Sequence, residues 1–369
     1  MPNINFMSED NHVQNLFKEY VSNTVAGTSN NYILKLDAPK KITGRIYVKV
    51  NEYGEFDYRF FFSNNVDSTF ADGAIAHAGL KGGKWEIISA FAGVSNSADP
   101  NSKSITFLPV TFNSETKKEV YPGEMFWSDC VKLDIKPEQY LFFEWTVFGN
   151  NIPFTPDKIV ESFIKTETGF TPCVDFAQPH LFGCNRLVKK RIAFFGDSIT
   201  QGLGTRDGLY EFWVAKIAQT LGNDFSVWNL GLGYGRVQDA VQNLSWSYKA
   251  KQADLVSVCF GVNDILQGRT ANQICADLKT IVTILKSAGC EVGIFTVPPF
   301  SIFEEDEKTW RTVNLYIKTE LASLCNYVFD TVKSLGKPYP NDNIDIFGGH
   351  PDADGCTALA ADFCNQKLI

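Results

Sequence analysis

Basic charge, histidine and long apolar segments are all scarce in this chain. Its 34 Lys and Arg residues are outnumbered by 42 Asp and Glu residues, which gives a formal net charge of -8. Nucleic-acid binding needs a basic face that neutralises phosphates, so this balance argues against a general nucleic-acid binder. No stretch approaches the roughly 20 apolar residues that a membrane helix needs. We therefore expect neither nucleic acid nor a membrane among the partners.

The N-terminus has no basic region followed by a long apolar core, so residues 1–7 show no secretory signal. The nine cysteines are an odd number and are scattered. Several lie inside apolar runs, as Cys259 does in residues 256–260, and buried free thiols have this distribution. These observations predict a reducing, cytoplasmic location.

Signals for metals and cofactors are also weak. Cys173, His180 and Cys184 lie near one another, but three ligands at these spacings match no zinc pattern. The glycines at 231, 233 and 235 lack the spacing of a dinucleotide fingerprint, and no phosphate-loop motif is present. We expect no metal and no organic cofactor.

The pattern of hydrophobicity changes at about residue 190, and the length of 369 residues favours two domains. In the first half, short aromatic and β-branched segments are broken by Pro, Gly and Asn, which indicates antiparallel strands. Examples are residues 42–50, 58–62 and 140–145. We predict an N-terminal antiparallel β-sandwich domain over residues 1–150, followed by a proline-containing connector over residues 151–188.

The second half alternates apolar runs with amphipathic segments. The runs lie near residues 191–195, 225–230, 254–260, 291–297 and 327–329. Between two of them, Ile274, Leu278, Ile281 and Leu285 fall on one helical face. Strands that alternate with helices imply a parallel sheet with right-handed crossovers. We predict a three-layer, flavodoxin-like α/β catalytic domain over residues 189–369.

A glycine, an aspartate and a serine directly follow the first of these apolar runs. Residues 196–203 read Gly-Asp-Ser-Ile-Thr-Gln-Gly-Leu. Gly196 permits a tight turn, and Asp197 and Ser198 are favourable residues for opening a helix. A hydroxyl held there lies above the carboxyl ends of a parallel sheet, where open α/β folds bind ligands. Ser198 is therefore a candidate nucleophile, although an ordinary helix-capping serine is the plainer interpretation.

A serine hydroxyl needs a base to take its proton as it attacks. The chain has four histidines, His12, His77, His180 and His350. Only His350 lies in the second half, in a glycine-rich loop that precedes the last predicted helix. A loop after the last strand can return to the face that carries Ser198. We predict His350 as the base, with an unremarkable surface histidine as the alternative.

Acyl transfer also needs hydrogen-bond donors for the oxyanion. Asn263, within Gly-Val-Asn-Asp at 261–264, follows one predicted strand and offers a neutral side-chain amide. Residues 229–235, Asn-Leu-Gly-Leu-Gly-Tyr-Gly, follow another strand and can bring a backbone N–H close; we call them the glycine loop. Each signal alone is weak, because the first can be a helix cap and the second a tight turn. Together they indicate an acyl-transfer site.

In this order, the Gly-Asp-Ser block, the glycine loop, Gly-Val-Asn-Asp and the late His-Pro resemble the SGNH, or GDSL, hydrolase superfamily of esterases over residues 188–369. The resemblance implies Ser198 as nucleophile and His350 as general base. It also implies an oxyanion hole formed by the Ser198 N–H, the Asn263 side chain and a glycine N–H of the second block. For that glycine we expect Gly233, and the alternatives are Tyr234 and Gly235.

The sequence departs from the family at the acid. The family usually has an aspartate three residues before the histidine, where this chain has Phe347. A phenyl ring cannot orient an imidazole by hydrogen bonding as a carboxylate does. Three explanations stay open: Asp345 or Asp352 substitutes for the acid, a backbone carbonyl holds His350 in a Ser-His dyad, or activity is lost. Some carbohydrate esterases of the superfamily work with a dyad, so we expect a dyad or a substitute acid.

Residues 59–64, 127–135 and 140–149 resemble the β-sandwich that precedes the catalytic domain in a subset of bacterial SGNH esterases. Those esterases tend to act on acetylated carbohydrates. We therefore expect a serine esterase that hydrolyses small O-acyl esters, above all O-acetyl on a carbohydrate, through an acyl-enzyme. The expected partner is a small-molecule or oligosaccharide ester. One alternative is a lipid or short-chain acylhydrolase, and another is an inactive hydrolase frame that binds carbohydrate. Trp246 and Tyr248 are candidates for a pocket wall.

Overall fold

The structure is a computed structural model that describes residues 16–27, 29–68, 79–155, 159–173, 176–242, 244–301, 304–336 and 350–369. Within these ranges the fold is mixed α/β. Antiparallel sheets are built from residues up to 184, and a parallel sheet is built from residue 190 onward.

Short strands make up most of the first half. They are β1 (Val21–Ser22), β2 (Tyr32–Leu34), β3 (Lys40–Val48), β4 (Gly54–Ser63), β5 (Trp85–Ser95), β6 (Leu108–Val110), β7 (Lys118–Val120), β8 (Met125–Trp127), β9 (Val131–Ile135), β10 (Tyr140–Gly149), β11 (Ile152–Phe154), β12 (Ser162–Thr166), β13 (Gly169–Pro172) and β14 (Leu181–Cys184). One sheet has the order β1-β14-β4-β8, with β9 also on β4. A second has the order β13-β12-β3-β10-β5-β6, with β7 also on β5, and β11 pairs with β2.

Aromatic side chains join the two larger antiparallel sheets. The ring centroids of Phe60 on β4 and Phe143 on β10 lie 4.8 Å apart. Phe62 and Trp145, two residues further along each strand, stack at 4.8 Å. Side chains two residues apart point to the same face of a strand, so β4 and β10 turn these faces toward each other. Such ring pairs add about 0.5–1.5 kcal/mol beyond the burial of their area.

Residues 151–188 contribute strands to both larger sheets. β12 pairs with β3 and β13, and β14 lies between β1 and β4. Two prolines of this segment fall on strands with one partner only, Pro153 on β11 and Pro172 on β13. An edge strand tolerates proline because its missing N–H faces no neighbour.

Five parallel strands form the sheet of the second half. They are β15 (Lys190–Gly196), β16 (Phe225–Asn229), β17 (Leu255–Cys259), β18 (Glu291–Phe295) and β19 (Tyr327–Phe329). Their order is β16-β15-β17-β18-β19, and every neighbouring pair is parallel. This is the 2-1-3-4-5 order of doubly wound sheets, whose ligands bind at the switch point between the first and third strands. Here that point lies between the carboxyl ends of β15 and β17.

Helices alternate with these strands along the chain. They are α1 (Ser198–Gln201), α2 (Trp213–Leu221), α3 (Val237–Gln242), α4 (Leu244–Ala250), α5 (Val262–Leu266), α6 (Ala271–Ser287), α7 (Glu304–Thr319), α8 (Thr331–Leu335) and α9 (Ala353–Asn365), with a 3-10 turn at Leu321–Leu324. No helix in the described ranges is long and apolar enough to cross a bilayer.

Successive residues of β15 pack into different apolar clusters. Ile192 and Phe194 join the cluster that contains α2 and α9, whereas Ala193 and Phe195 join the cluster that contains α6. The four α6 residues expected on one helical face are all buried in the second cluster. A strand buried on both faces explains why residues 192–195 form a continuous apolar run.

All nine cysteines lie in the described ranges as free thiols. Cys184, Cys259, Cys290 and Cys356 are buried, as the apolar runs around several of them predict. Burial raises the pKa of the Cys184 and Cys356 thiols to about 12 and that of Cys290 to about 11. The reactive thiolate is therefore scarce at neutral pH.

Candidate active site

Ser198 opens the short helix α1 directly after β15. The carboxylate of Asp197 caps this helix by accepting the Ile199 N–H at 3.0 Å. Gly202 ends the helix with φ +118°, a conformation that favours glycine. The turn leaves Ser198 8% exposed at the carboxyl edge of the parallel sheet. The first N–H groups of a helix have no acceptor within it, so the Ser198 N–H is not used by α1 itself.

His350 lies just before α9, and its Nε2 is 2.8 Å from Ser198 Oγ. This distance is within the reach required of a general base. The ring is half-buried, and burial lowers the pKa of His350 below its ordinary 6.5. A neutral imidazole therefore predominates at pH 7, and it can accept the Ser198 proton when its own proton is on Nδ1.

Gly204 makes room for this histidine. Its φ is +97°, and a Cβ built on it would lie 2.7 Å from both His350 Cβ and the Pro351 carbonyl oxygen. Real Cβ atoms essentially never approach this closely, so any other residue would displace His350. Sequence analysis missed Gly204, since a missing side chain carries no chemical signature.

Asn263 projects from α5, which begins after Gly261 and the carboxyl end of β17. Its Nδ2 donates to the Gly235 carbonyl at 3.0 Å. An amide nitrogen carries two hydrogens, so this bond orients the group and uses one of them. The structure thus brings Asn263 against the glycine loop.

Gly233, the expected donor from this loop, has both its backbone N–H and its backbone carbonyl hydrogen-bonded within the protein. Its N–H donates to Gln201 Oε1 at 2.6 Å. Its carbonyl accepts from Asn31 Nδ2 at 3.2 Å and from Ser68 Oγ at 3.1 Å. The Gly233 N–H is therefore already used, and Asn31, Ser68 and Gln201 are neighbours that the sequence did not point out.

Gly235 and Tyr234, the alternative donors in this loop, differ in backbone conformation and hydrogen bonding. The Gly235 N–H donates to the Leu232 carbonyl at 3.1 Å. Tyr234 has φ +60° and a ring that is 43% exposed. A bulky residue in the left-handed region is uncommon, and such backbone conformations cluster at functional sites.

No carboxylate in the described ranges pairs with the His350 ring. Asp352 is exposed, and its Oδ1 caps α9 by accepting the N–H groups of Asp354 at 3.0 Å and Gly355 at 2.9 Å. Within the described ranges, the one hydrogen bond of the His350 ring is to Ser198. Phe347 and Asp345 lie outside the described residues, as do His12 and His77.

Asp197 is fully buried beside the candidate nucleophile. Burial raises the pKa of this carboxyl to about 7, and no described residue pairs with its Oδ2. Its observed contact is the cap on Ile199. Asp197 therefore supports the turn that presents Ser198 and makes no hydrogen bond to the His350 ring.

The aromatic candidates for a pocket wall are placed differently from the prediction. Trp246 is completely buried, packs against Phe195 and Phe260, and donates its indole N–H to the Leu230 carbonyl at 3.0 Å. Tyr248 lies half-buried against Phe17. The expectation for Trp246 was wrong, because this ring fills the core between β15 and β17.

A family of known proteins matches the second half of the chain. The GDSL-like Lipase/Acylhydrolase family matches residues 194–358, a span that includes Ser198, Asn263 and His350. The chain, with a serine and a histidine in hydrogen-bond contact at the carboxyl edge of a parallel sheet, is a carboxylic ester hydrolase. Its residues 194–358 form a GDSL/SGNH lipase-acylhydrolase domain. No curated protein sequence matches the chain significantly.

Solved esterase structures resemble the chain loosely. A member of the lipolytic protein G-D-S-L family from Veillonella parvula is 24% identical, with 47% of this chain and 96% of that one covered and a TM-score of 0.41. An acetylxylan esterase from Geobacillus stearothermophilus is 20% identical, with 49% of this chain and 94% of that one covered and a TM-score of 0.39. A family two carbohydrate esterase from Cellvibrio japonicus is 13% identical, with 94% of this chain and 93% of that one covered and a TM-score of 0.38.

Proposed function

We propose that the chain hydrolyses small O-acyl esters, above all O-acetyl on a carbohydrate, through an acyl-enzyme on Ser198. The observation that carries this proposal is the 2.8 Å contact between His350 Nε2 and Ser198 Oγ. Ser198 Oγ attacks the ester carbonyl while His350 takes its proton. His350 then gives that proton to the leaving alcohol as the ester C–O bond breaks. Water, deprotonated by His350, releases the acid and restores the Ser198 hydroxyl.

Asn263 and the Ser198 N–H are the proposed donors to the oxyanion. The bond from Asn263 Nδ2 to the Gly235 carbonyl supports this role, because it fixes the amide while a second hydrogen remains on the nitrogen. The glycine loop supplies the third donor. Of its candidates, Gly233 and Gly235 spend their N–H groups on Gln201 and Leu232.

The proposed architecture places this site on a three-layer domain over residues 189–369. The packing of β15 into two clusters supports the layers. The aromatic contacts between β4 and β10 support an N-terminal β-sandwich built on residues 1–150. The strands of residues 151–188 belong with that sandwich by their pairing.

A serine-directed phosphonate tests the mechanism, and acyl length tests the substrate. We expect the reagent to add to Ser198, as read by peptide mass spectrometry, and acetyl esters to be cleaved faster than octanoyl esters. Preference for octanoyl would favour a lipid acylhydrolase. An unlabelled Ser198 together with measurable sugar binding would favour the inactive, carbohydrate-binding frame that Phe347 suggests.

The pH dependence tests the state of the base. Burial lowers the pKa of His350, and only its neutral form accepts the proton, so kcat/KM should rise with pH through a midpoint below 6.5 and then stay level. A carboxylate beside the ring would stabilise the imidazolium and raise that midpoint. Rates of aryl acetate hydrolysis across this range measure it. A midpoint above 6.5 would contradict a dyad and indicate an acid from residues 337–349.

A further inference from the structure

We propose that the first half of the chain holds the glycine loop in its catalytic conformation, with Asn31 and Ser68 as positioning residues for acyl transfer. This inference rests on the proposed function, because it assigns the two side chains to the same reaction. Asn31 precedes β2, and Ser68 lies beyond the end of β4. Both lie in the first half of the chain, yet both contact the loop that carries the proposed oxyanion donors.

The two side chains converge on one carbonyl oxygen. Asn31 Nδ2 and Ser68 Oγ lie 3.2 Å and 3.1 Å from the Gly233 oxygen. Both residues are completely buried. No described residue pairs with Asn31 Oδ1, so the side-chain hydrogen bond of Asn31 is the one to Gly233. Two donors on one oxygen use both of its lone pairs and fix the plane of this peptide.

The segments that carry these donors are tied to the second half. Asp67, next to Ser68, forms an ion pair with Lys249 of α4, and both side chains are completely buried. Ser245 Oγ also donates to Asp67 Oδ1 at 2.6 Å, and Lys249 donates to Ser29 Oγ at 2.9 Å. Breaking a buried pair leaves an uncompensated charge, so the geometry around it is strongly held.

A residue of the second half, Gln201, also holds the glycine loop. Gln201 accepts the Gly233 N–H at 2.6 Å, so the peptide units on both sides of the Gly233 Cα are held by hydrogen bonds. Gly27 also lies against the loop, where a Cβ would be 3.2 Å from the Gly231 carbonyl oxygen. The loop therefore lies between the two halves of the chain.

A shift of the Gly233 carbonyl would move the proposed oxyanion donors, because Gly235 and Asn263 link this part of the loop to the reacting centre. Gly235 follows closely in the chain, and its carbonyl accepts the Asn263 amide at 3.0 Å. Moving that carbonyl moves the amide proposed to stabilise the oxyanion. Small misplacements of catalytic groups cost about 10²-fold in rate, so the support of Gly233 should appear in kcat more than in KM.

The experiment compares Ser68→Ala, Asn31→Ala and the double variant on an aryl acetate. We expect kcat to fall about 10-fold in each single variant and about 10²-fold in the double variant, with KM nearly unchanged. Ser68→Thr keeps the hydroxyl and should recover most of the loss. Unfolding midpoints, measured in parallel, separate lost turnover from lost protein.

Ser226→Ala is the matched control. It also removes one buried serine hydroxyl that spans the two halves, since Ser226 Oγ donates to the Ser22 carbonyl at 3.0 Å, but Ser226 makes no recorded contact with the glycine loop. We expect its kcat to equal that of the unaltered protein. If the double variant matches Ser226→Ala in kcat, the inference is wrong even where Ser198 is labelled by the phosphonate. If Ser198 is not labelled in the unaltered protein, the proposed function itself fails.

Discussion

Replacing Ser198 by alanine is expected to lower kcat on an aryl acetate by about 10⁴-fold or more, the scale seen when a serine nucleophile is removed. The hydroxyl is the group that attacks, and its hydrogen bond is to His350 at 2.8 Å. Because no buried network depends on it, the free energy of unfolding should change little. Steady-state turnover and a thermal melt on the same preparation measure both quantities.

Ser257→Ala is the control for this substitution. Ser257 is buried in β17, the strand next to the one that ends at the nucleophile, and its Oγ lies 2.6 Å from the Tyr327 hydroxyl. Losing that bond leaves the buried Tyr327 hydroxyl without this partner, which should cost about 1–3 kcal/mol of stability and leave turnover unchanged. A Ser198→Ala variant that keeps wild-type turnover would refute the mechanism.

The Gly204→Ala variant should lose about 10²-fold in kcat while Ser198 remains intact. Its new methyl group would lie 2.7 Å from His350 Cβ, so the imidazole must move away from Ser198 Oγ. A displacement near 1 Å at a catalytic group has an effect of this size. The measurement is kcat together with the rate of phosphonate addition, since both need the base within reach of the nucleophile.

A control variant must separate the effect of backbone strain at Gly204 from the effect of the steric clash with His350. Gly289→Ala does so, because Gly289 has φ +90° and a Cβ there would meet nothing within 4 Å. Gly289 precedes β18, which places it at the amino edge of the sheet, opposite Ser198. Both variants should lose about 1–2 kcal/mol of stability from the left-handed conformation. Equal turnover in the two variants would refute the positioning of His350 by Gly204.

The parallel sheet is predictable because each of its strands contains a largely apolar, mostly buried run. The run at residues 254–260, for example, becomes β17 at Leu255–Cys259. Strand pairing in the first half of the chain cannot be predicted in this way. β14 pairs Leu181 with Phe61, a contact between distant parts of the chain that local composition does not encode.

Within the site, the residues that could be predicted are those whose side chains carry a recognisable reactive group. A serine and a lone late histidine are recognisable by type, and the fold brings their side chains within hydrogen-bond distance. Gly204 acts by having no side chain, and Asn31 and Ser68 act through a backbone carbonyl, so neither role leaves a motif. Which N–H of the glycine loop turns outward depends on φ angles such as that of Tyr234, which residue identity leaves open.

The buried thiols have a consequence for how the protein meets oxidants. Disulfide exchange and sulfenic acid formation both begin from a thiolate. With the pKa of Cys184 and Cys356 raised to about 12 by burial, that species is nearly absent at neutral pH. Such cysteines stay reduced because packing protects them, whatever the redox potential of their surroundings. The presence of these free thiols therefore reflects a dense interior.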